Sequence, residues 1–134
     1  MVSRRIFAAC GLCSAIGLVA SAVEAQTAAG TGVTRNTLGT IDYPGDGMVS
    51  ILMTIEVPPN AAIGRHTHPG IESSVVMEGE MDLEVDGQPL RRIKAGEGFQ
   101  VAPGVPHSGR NGPQRSRIAA TYVVEKGKPL ASPA

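Results

Sequence analysis

The sequence predicts an all-β domain built as a sandwich or a barrel. In the clearest stretch, Met48 to Val57, apolar residues recur at every second position, which is the period of a half-buried strand. Further short apolar stretches follow, and turns rich in Gly and Pro separate them. Beyond residue 25 we find no segment with the period of a helix. Short strands at regular spacing are typical of two-layered β architectures.

The individual elements can be predicted in order along the chain. Residues 26–36 are small and polar, which favours a linker or an early edge strand, and 43–47 form a turn cluster. The strand over 48–57 ends at two prolines. We predict further strands from about Ala62 and over 72–78, 81–85, 90–94, 99–101, from His107 onward, and 117–125. The tail, 127–134, has the composition of a loop.

The length of the chain indicates one small domain, and its net charge gives no sign of a highly charged partner. It has 134 residues and a formal net charge of zero, so no basic surplus indicates nucleic-acid binding and no acidic tail is present. Aromatic residues make up only 3%, and the core must therefore come from Val, Ile, Leu, Met and Ala. We assign a single domain to residues 26–134.

Residues 1–25 have the pattern of an export signal. Arg4 and Arg5 precede an apolar run over 6–22, and Ala25 is a small residue suited to cleavage before Gln26. The apolar run is short for a membrane span, so no membrane association is expected after cleavage. The paired arginines resemble a twin-arginine signal, with general secretion as the alternative. We therefore expect a periplasmic or secreted protein.

Both cysteines, Cys10 and Cys13, lie inside this signal segment. A mature chain that starts at Gln26 would contain no thiol. Disulfides, thiolate zinc sites and cysteine nucleophiles are therefore not expected.

The three histidines of the chain fall into two stretches marked by Gly and Pro. His66 and His68 lie two residues apart, so in a strand their side chains point to the same face. Glu72 has the same parity. The third histidine, His107, lies in a second stretch over 95–111. Imidazole and carboxylate are ligands for divalent metals, and these four residues are our candidate metal ligands.

The spacing of these residues resembles the two motifs of the cupin superfamily. His66, His68, Glu72 and Gly79 match the first motif, with Asn60 where the family usually has an opening Gly. The second motif is matched by Gly96, Gly104, His107 and Asn111. The resemblance implies a double-stranded β-helix, or jelly-roll barrel, whose interior can hold a small ligand. It also implies a homodimer, because small cupins commonly pair.

Three imidazoles and one carboxylate leave open positions on an octahedral ion. Export after folding would allow metal loading in the cytosol, where copper and zinc are scarce, which favours manganese or iron. Nickel, cobalt, zinc and copper remain alternatives. Beyond the ligands, Tyr122 is the best candidate acid or base, Glu72 is a possible base, and Gln100, Ser74 and Glu78 are weaker candidates.

The pocket wall is expected to be mostly apolar. Its expected members are Met53, Ile55, Val76 and Phe99, while Arg65 alternates with the histidines and should point outward. No anion clamp is evident, which favours a small neutral or metal-chelating organic substrate. If Glu72 points inward, Ser74 and Val76 do so too, and the outward Val75 and Met77 need a cover that a second subunit could provide.

Two classes of function follow from these features. The first is a metal-dependent enzyme, either a dioxygenase resembling the quercetinase-like cupins or a lyase or isomerase that uses Tyr122. The second is a non-catalytic module that binds or senses a metal or small ligand. The sequence favours the dioxygenase-type enzyme.

Overall fold

The computed structural model describes residues 32–45 and 47–134, and this part of the chain forms ten strands. The strands are β1 (Thr34–Asp42), β2 (Met48–Val57), β3 (Ala62–Thr67), β4 (Gly70–Glu78), β5 (Glu80–Val85), β6 (Arg91–Lys94), β7 (Gly98–Val101), β8 (His107–Asn111), β9 (Ser116–Glu125) and β10 (Ser132–Pro133). No helix occurs in the described ranges, and so none there could cross a membrane. The signal predicted over residues 1–25 lies outside the described residues.

The strands form two five-stranded sheets with antiparallel neighbours. The first sheet has the order β1-β2-β9-β4-β7, and the second has the order β10-β3-β8-β5-β6. Side chains of both sheets form one apolar core, which includes Val76 and Ile118 from the first sheet and Leu83 and Ile93 from the second. The all-β jelly-roll prediction is confirmed.

Most strands lie where the alternation predicts them. β2 has the predicted bounds, and its inward residues Met53, Ile55 and Val57 are buried. In β4 the predicted parity is confirmed, because Val76 is fully buried whereas Val75 is 38% exposed. The alternation therefore reports correctly which face of these strands meets the core.

Two terminal segments differ from the prediction. The early segment is an edge strand, β1, which continues to Asp42, beyond the predicted limit at residue 36. The tail is not only a loop: Ser132 and Pro133 pair with Thr67 and His66 of β3. Few buried apolar residues mark either segment, so their pairing leaves no periodic signal in the sequence.

Asn60 takes the place of a glycine in the turn between β2 and β3. Its φ angle is 58°, in the left-handed region, and it is the one non-glycine residue with positive φ in the described ranges. Asparagine tolerates this region better than most other residues with a side chain. The departure from the usual glycine therefore leaves the turn into β3 intact.

Candidate metal centre

Four side chains from both sheets converge inside the barrel. His66 lies on β3 and His107 on β8, where the two residues are direct cross-strand partners. His68 follows the end of β3, and Glu72 points inward from β4 in the opposite sheet. One ligand atom from each of these four residues lies within 4.8 Å of all the others. The four side chains therefore converge as their spacing in the sequence predicted.

The distances between the donor atoms are those of neighbouring ligands on one ion. His66 Nε2 lies 3.1 Å from His68 Nε2. Glu72 Oε2 lies 3.1 Å from both His68 Nε2 and His107 Nε2. With bonds of about 2.1 Å to a shared metal, adjacent ligand atoms are separated by about 3 Å.

Each imidazole is oriented through its other ring nitrogen. Every Nδ1 donates to a backbone carbonyl oxygen, at 2.7 Å from His66 to Gly64, 2.6 Å from His68 to Leu130, and 2.9 Å from His107 to Val105. A proton on Nδ1 leaves the lone pair of the neutral ring on Nε2. Such outer hydrogen bonds fix the tautomer and the ring orientation of metal-binding histidines.

The tautomers make the short contact between His66 and His68 informative. With Nδ1 protonated in both rings, two Nε2 lone pairs face each other at 3.1 Å, and neither has a proton to donate. A cation between them converts this repulsion into coordination. The donor set therefore fits a divalent transition-metal ion, which His66, His68, Glu72 and His107 could hold.

Electrostatics keeps the carboxylate of Glu72 ionised. Burial raises its pKa, but the hydrogen bonds that His107 and His68 donate when protonated on both ring nitrogens, and the one from Ser74, outweigh burial and hold the pKa well below its usual range. Ser74 Oγ donates to Glu72 Oε1 at 2.6 Å, which leaves Oε2 directed at the histidines. Gln100, Ser74 and Glu78 were the weaker candidates for a catalytic role, and of these three Ser74 lies at the site.

The histidines respond differently to this environment. Burial lowers the pKa of His66 to about 4. Burial also acts to lower the pKa of His107, but its hydrogen bonds to Glu72 and Val105 outweigh burial, so that pKa is raised. In the absence of a metal, the first proton to enter the cluster is therefore expected at His107 rather than at His66.

Tyr122, the main candidate acid or base, lies beside the cluster. It is 3% exposed, is the cross-strand partner of Glu72, and has its ring centroid 4.7 Å from that of His68. Burial, followed by the negative charge of Glu72, raises the pKa of its hydroxyl, and the positive charge of Arg35 acts in the opposite direction. The phenol therefore holds its proton at neutral pH.

Other candidates lie outside the site. Gln100 donates to Ser73 on the outer face of the first sheet, and Glu78 pairs with Arg115 at the surface. Arg65 points outward, as predicted, and donates to Asp86. The four expected wall residues, Met53, Ile55, Val76 and Phe99, are all buried in the core.

The tail contributes a contact that the sequence did not indicate. The carbonyl of Leu130 accepts the Nδ1 proton of His68, and the strand β10 that follows it pairs with β3. A backbone carbonyl leaves no trace in residue type, so this contact had no sequence signal. A surface cavity of about 390 Å³ lies next to this contact, and its lining includes His68, Pro103 and Lys128.

Two antiparallel sheets that enclose a cluster of three histidines and one glutamate identify the protein as a small β-barrel with a candidate metal site. A family model described as "Cupin domain" matches residues 53–127, more than half of the chain. The protein belongs to the cupin family.

Curated relatives match part of the chain. The 3-hydroxyanthranilate 3,4-dioxygenase of Xanthomonas euvesicatoria pv. vesicatoria (strain 85-10) is 39% identical over 71 residues, which cover 51% of this chain and 38% of that protein. A protein of the same name from Xanthomonas oryzae pv. oryzae (strain MAFF 311018) matches to the same extent. The chain thus spans less than half the length of these relatives.

Solved structures support the fold. The DMSP lyase DddQ from Ruegeria pomeroyi DSS-3 superposes with a TM-score of 0.65 at 18% identity, over 76% of this chain and 51% of that one. An RmlC-like cupin from Shewanella frigidimarina NCIMB 400 gives a TM-score of 0.61 at 26% identity, over 74% of this chain and 82% of that one.

Proposed function

We propose that the protein is a metal-dependent enzyme of dioxygenase type that acts on a small neutral or metal-chelating organic substrate. The observation that carries this proposal is the convergence of one donor atom each from His66, His68, His107 and Glu72 within 4.8 Å of one another. The partial similarity to proteins named 3-hydroxyanthranilate 3,4-dioxygenase supports the reaction type.

The ion is proposed to be held by the three Nε2 atoms and by Glu72 Oε2, with manganese or iron favoured and nickel, cobalt, zinc or copper as alternatives. A redox-active ion would supply open coordination positions and electron transfer between substrate and dioxygen. The protein itself would supply the ligands and balance part of the charge of the ion. Glu72 would offset one positive charge of the ion, and the hydrogen bond from Ser74 orients its carboxylate.

Oxygen uptake by metal-loaded protein tests this proposal. We expect uptake with a member of a panel of flavonols and diketones, after reconstitution with iron or manganese. The control is His107→Ala, which removes one donor while the apolar core remains, and it should show no uptake. Metal binding without uptake across the panel would instead favour the non-catalytic binding module.

A second candidate function, a lyase or isomerase, is favoured by one observation. The phenol of Tyr122 is buried, keeps its proton and lies against His68, so a substrate held at the cluster would meet a proton donor. In this mechanism the Tyr122 hydroxyl transfers a proton at its oxygen and dioxygen is not consumed. Tyr122→Phe should then abolish product formation under anaerobic conditions, whereas a dioxygenase would need oxygen.

We further propose that residues 1–25 direct export and that residues 26–134 form the mature domain, in the periplasm or outside the cell. The paired Arg4 and Arg5 support the twin-arginine route. Replacement of both by lysine should leave the precursor in the cytosol, as measured by fractionation. Export that persists unchanged would favour general secretion.

A homodimer is proposed as the assembled form. Leu52, Ile71, Val75 and Met77 belong to strands β2 and β4 of the same sheet, and each is at least 38% exposed. Exposed apolar patches of this kind are typical of interfaces. Light scattering should give twice the chain mass at micromolar concentration, and Val75→Lys should shift it toward the monomer.

A further inference from the structure

Strand β3 has an extra residue immediately before the first histidine of the cluster. Ile63 and His66 are separated by two residues, Gly64 and Arg65, whereas their cross-strand partners on β8 are separated by one. An extra residue in one strand of an antiparallel pair is a β-bulge. Gly64 and Arg65 are both exposed, and together they form the β3 bulge.

The β3 bulge allows two side chains to face inward that a regular strand would direct to opposite faces. Ile63 packs against the apolar core, and His66 reaches the donor cluster. These residues are three positions apart, and in a regular strand such residues face opposite sides of the sheet. The extra residue resets the alternation, so that His66 and then His68 turn inward.

The bulge also supplies the hydrogen-bond acceptor that orients the ring of His66. Nδ1 of His66 donates to the carbonyl oxygen of Gly64 at 2.7 Å. In a regular ladder the backbone carbonyls pair with the neighbouring strands, whereas a bulge disrupts this pairing locally. The carbonyl of Gly64 is therefore available to a side chain of its own strand.

Without this acceptor, His66 could adopt a tautomer that opposes metal binding. A proton on Nε2 of His66 could be donated to Nε2 of His68, which lies 3.1 Å away. That arrangement would remove the Nε2 lone pair of His66 and engage the lone pair of His68. By holding the proton on Nδ1, the carbonyl of Gly64 keeps both Nε2 lone pairs free for an ion.

We propose that the β3 bulge positions the metal centre, and that Gly64 is a positioning residue which acts through its backbone carbonyl on His66. This inference rests on the proposed function, because it concerns the ligands of the same ion. It assigns a role at the site to a residue without a side chain.

Deletion of Gly64 tests this role. In its absence Arg65 alone lies opposite Ser108, while Ile63 and His66 keep their partners in a regular ladder. The fold and the inward direction of His66 should therefore be retained, but the acceptor of its Nδ1 proton is lost. We expect the affinity for Zn²⁺, measured by competition with a chromogenic chelator, to fall by about tenfold to about 100-fold.

A second bulge in the chain provides a matched control. In β1 the register shifts between Thr37 and Gly39, and the extra residue there, Leu38, is 56% exposed. Deletion of Leu38 removes a bulge from an edge strand of the other sheet and should leave the zinc affinity unchanged. Gly64→Ala retains the carbonyl, and its added Cβ would have no atom beyond its chain neighbours within 4 Å, so this conservative variant should also keep the affinity.

The tautomer of His66 is a readout that a general loss of stability would not produce. In zinc-free wild-type protein, the imidazole 15N chemical shifts should show His66 protonated on Nδ1. In the Gly64 deletion they should show a shift toward protonation on Nε2, while the circular dichroism spectrum remains that of a β-barrel. The wild-type measurement needs no variant to fold.

Several results would overturn the role of the bulge. These are wild-type His66 protonated on Nε2, wild-type zinc affinity in the Gly64 deletion, and an equal loss of affinity in the Leu38 deletion or in Gly64→Ala. Wild-type protein would still bind zinc in those cases, and the proposed function would stand. Failure of the wild-type chain to bind zinc would instead remove both proposals.

Discussion

Loss of the hydroxyl of Ser74 should weaken metal binding although Ser74 is not a ligand. Ser74 Oγ donates to Glu72 Oε1 at 2.6 Å, and both side chains are at most 7% exposed. This hydrogen bond leaves Oε2 as the oxygen that faces His68 and His107. In Ser74→Ala the carboxylate can rotate, and the lone pair of Oε1 loses its donor.

The expected size of this effect follows from the position of Ser74 next to the ligand shell. Removal of such an outer partner typically lowers metal affinity by about tenfold to about 100-fold. A competition titration with a chromogenic chelator would measure it. The matched control is Ser73→Ala, because Ser73 is the adjacent residue, faces outward and hydrogen-bonds only Gln100 among the side chains of the described residues.

Two results would refute this reasoning about Glu72. Wild-type affinity in Ser74→Ala would show that the hydroxyl does not orient the carboxylate. An equal loss of affinity in Ser73→Ala would show that the effect comes from general disturbance of β4. Circular dichroism and thermal unfolding of both variants would establish that the barrel is retained.

Three further predictions concern the backbone, the tail and pH. Gly70→Ala should prevent folding or lower the thermal midpoint markedly, because an added Cβ would lie 2.0 Å from the carbonyl oxygen of Val123; a wild-type melting curve would contradict this. Deletion of 130–134 removes the acceptor of His68 Nδ1, so metal affinity should fall by about tenfold or more while the core remains, as a chelator titration would show. Metal affinity should also fall with decreasing pH as the raised pKa of His107 is crossed, because its imidazole must lose a proton to bind, and equal dissociation constants at pH 7.5 and 5.5 would refute this.

The ligand set could be predicted from the sequence because strand parity is a local property. His66, His68 and Glu72 share one parity, and a strand places residues of one parity on the same face. His107 could be added because it completed a second motif of the same family. The structure brings all four together, and the same parity argument correctly placed Ser74 inward.

Two features of the structure could not be predicted, for separate physical reasons. The Leu130 carbonyl reaches His68 across 62 residues, and a backbone acceptor is the same for every residue type. Arg35 lies on an edge strand that is exposed at most positions and has a register shift between Thr37 and Gly39, so no alternation assigns it to a face. The inward direction of Arg35 became evident only from its pairing with the buried Ile55 of β2.

The most direct measurement is the metal content of the purified protein and of His107→Ala, both determined by mass spectrometry of the elements after reconstitution. If the four donors hold one ion, wild-type protein will contain about one ion per chain, and His107→Ala will contain none while its circular dichroism remains that of a β-barrel. Wild-type protein without stoichiometric metal, or a variant with an unchanged metal content, would contradict the account.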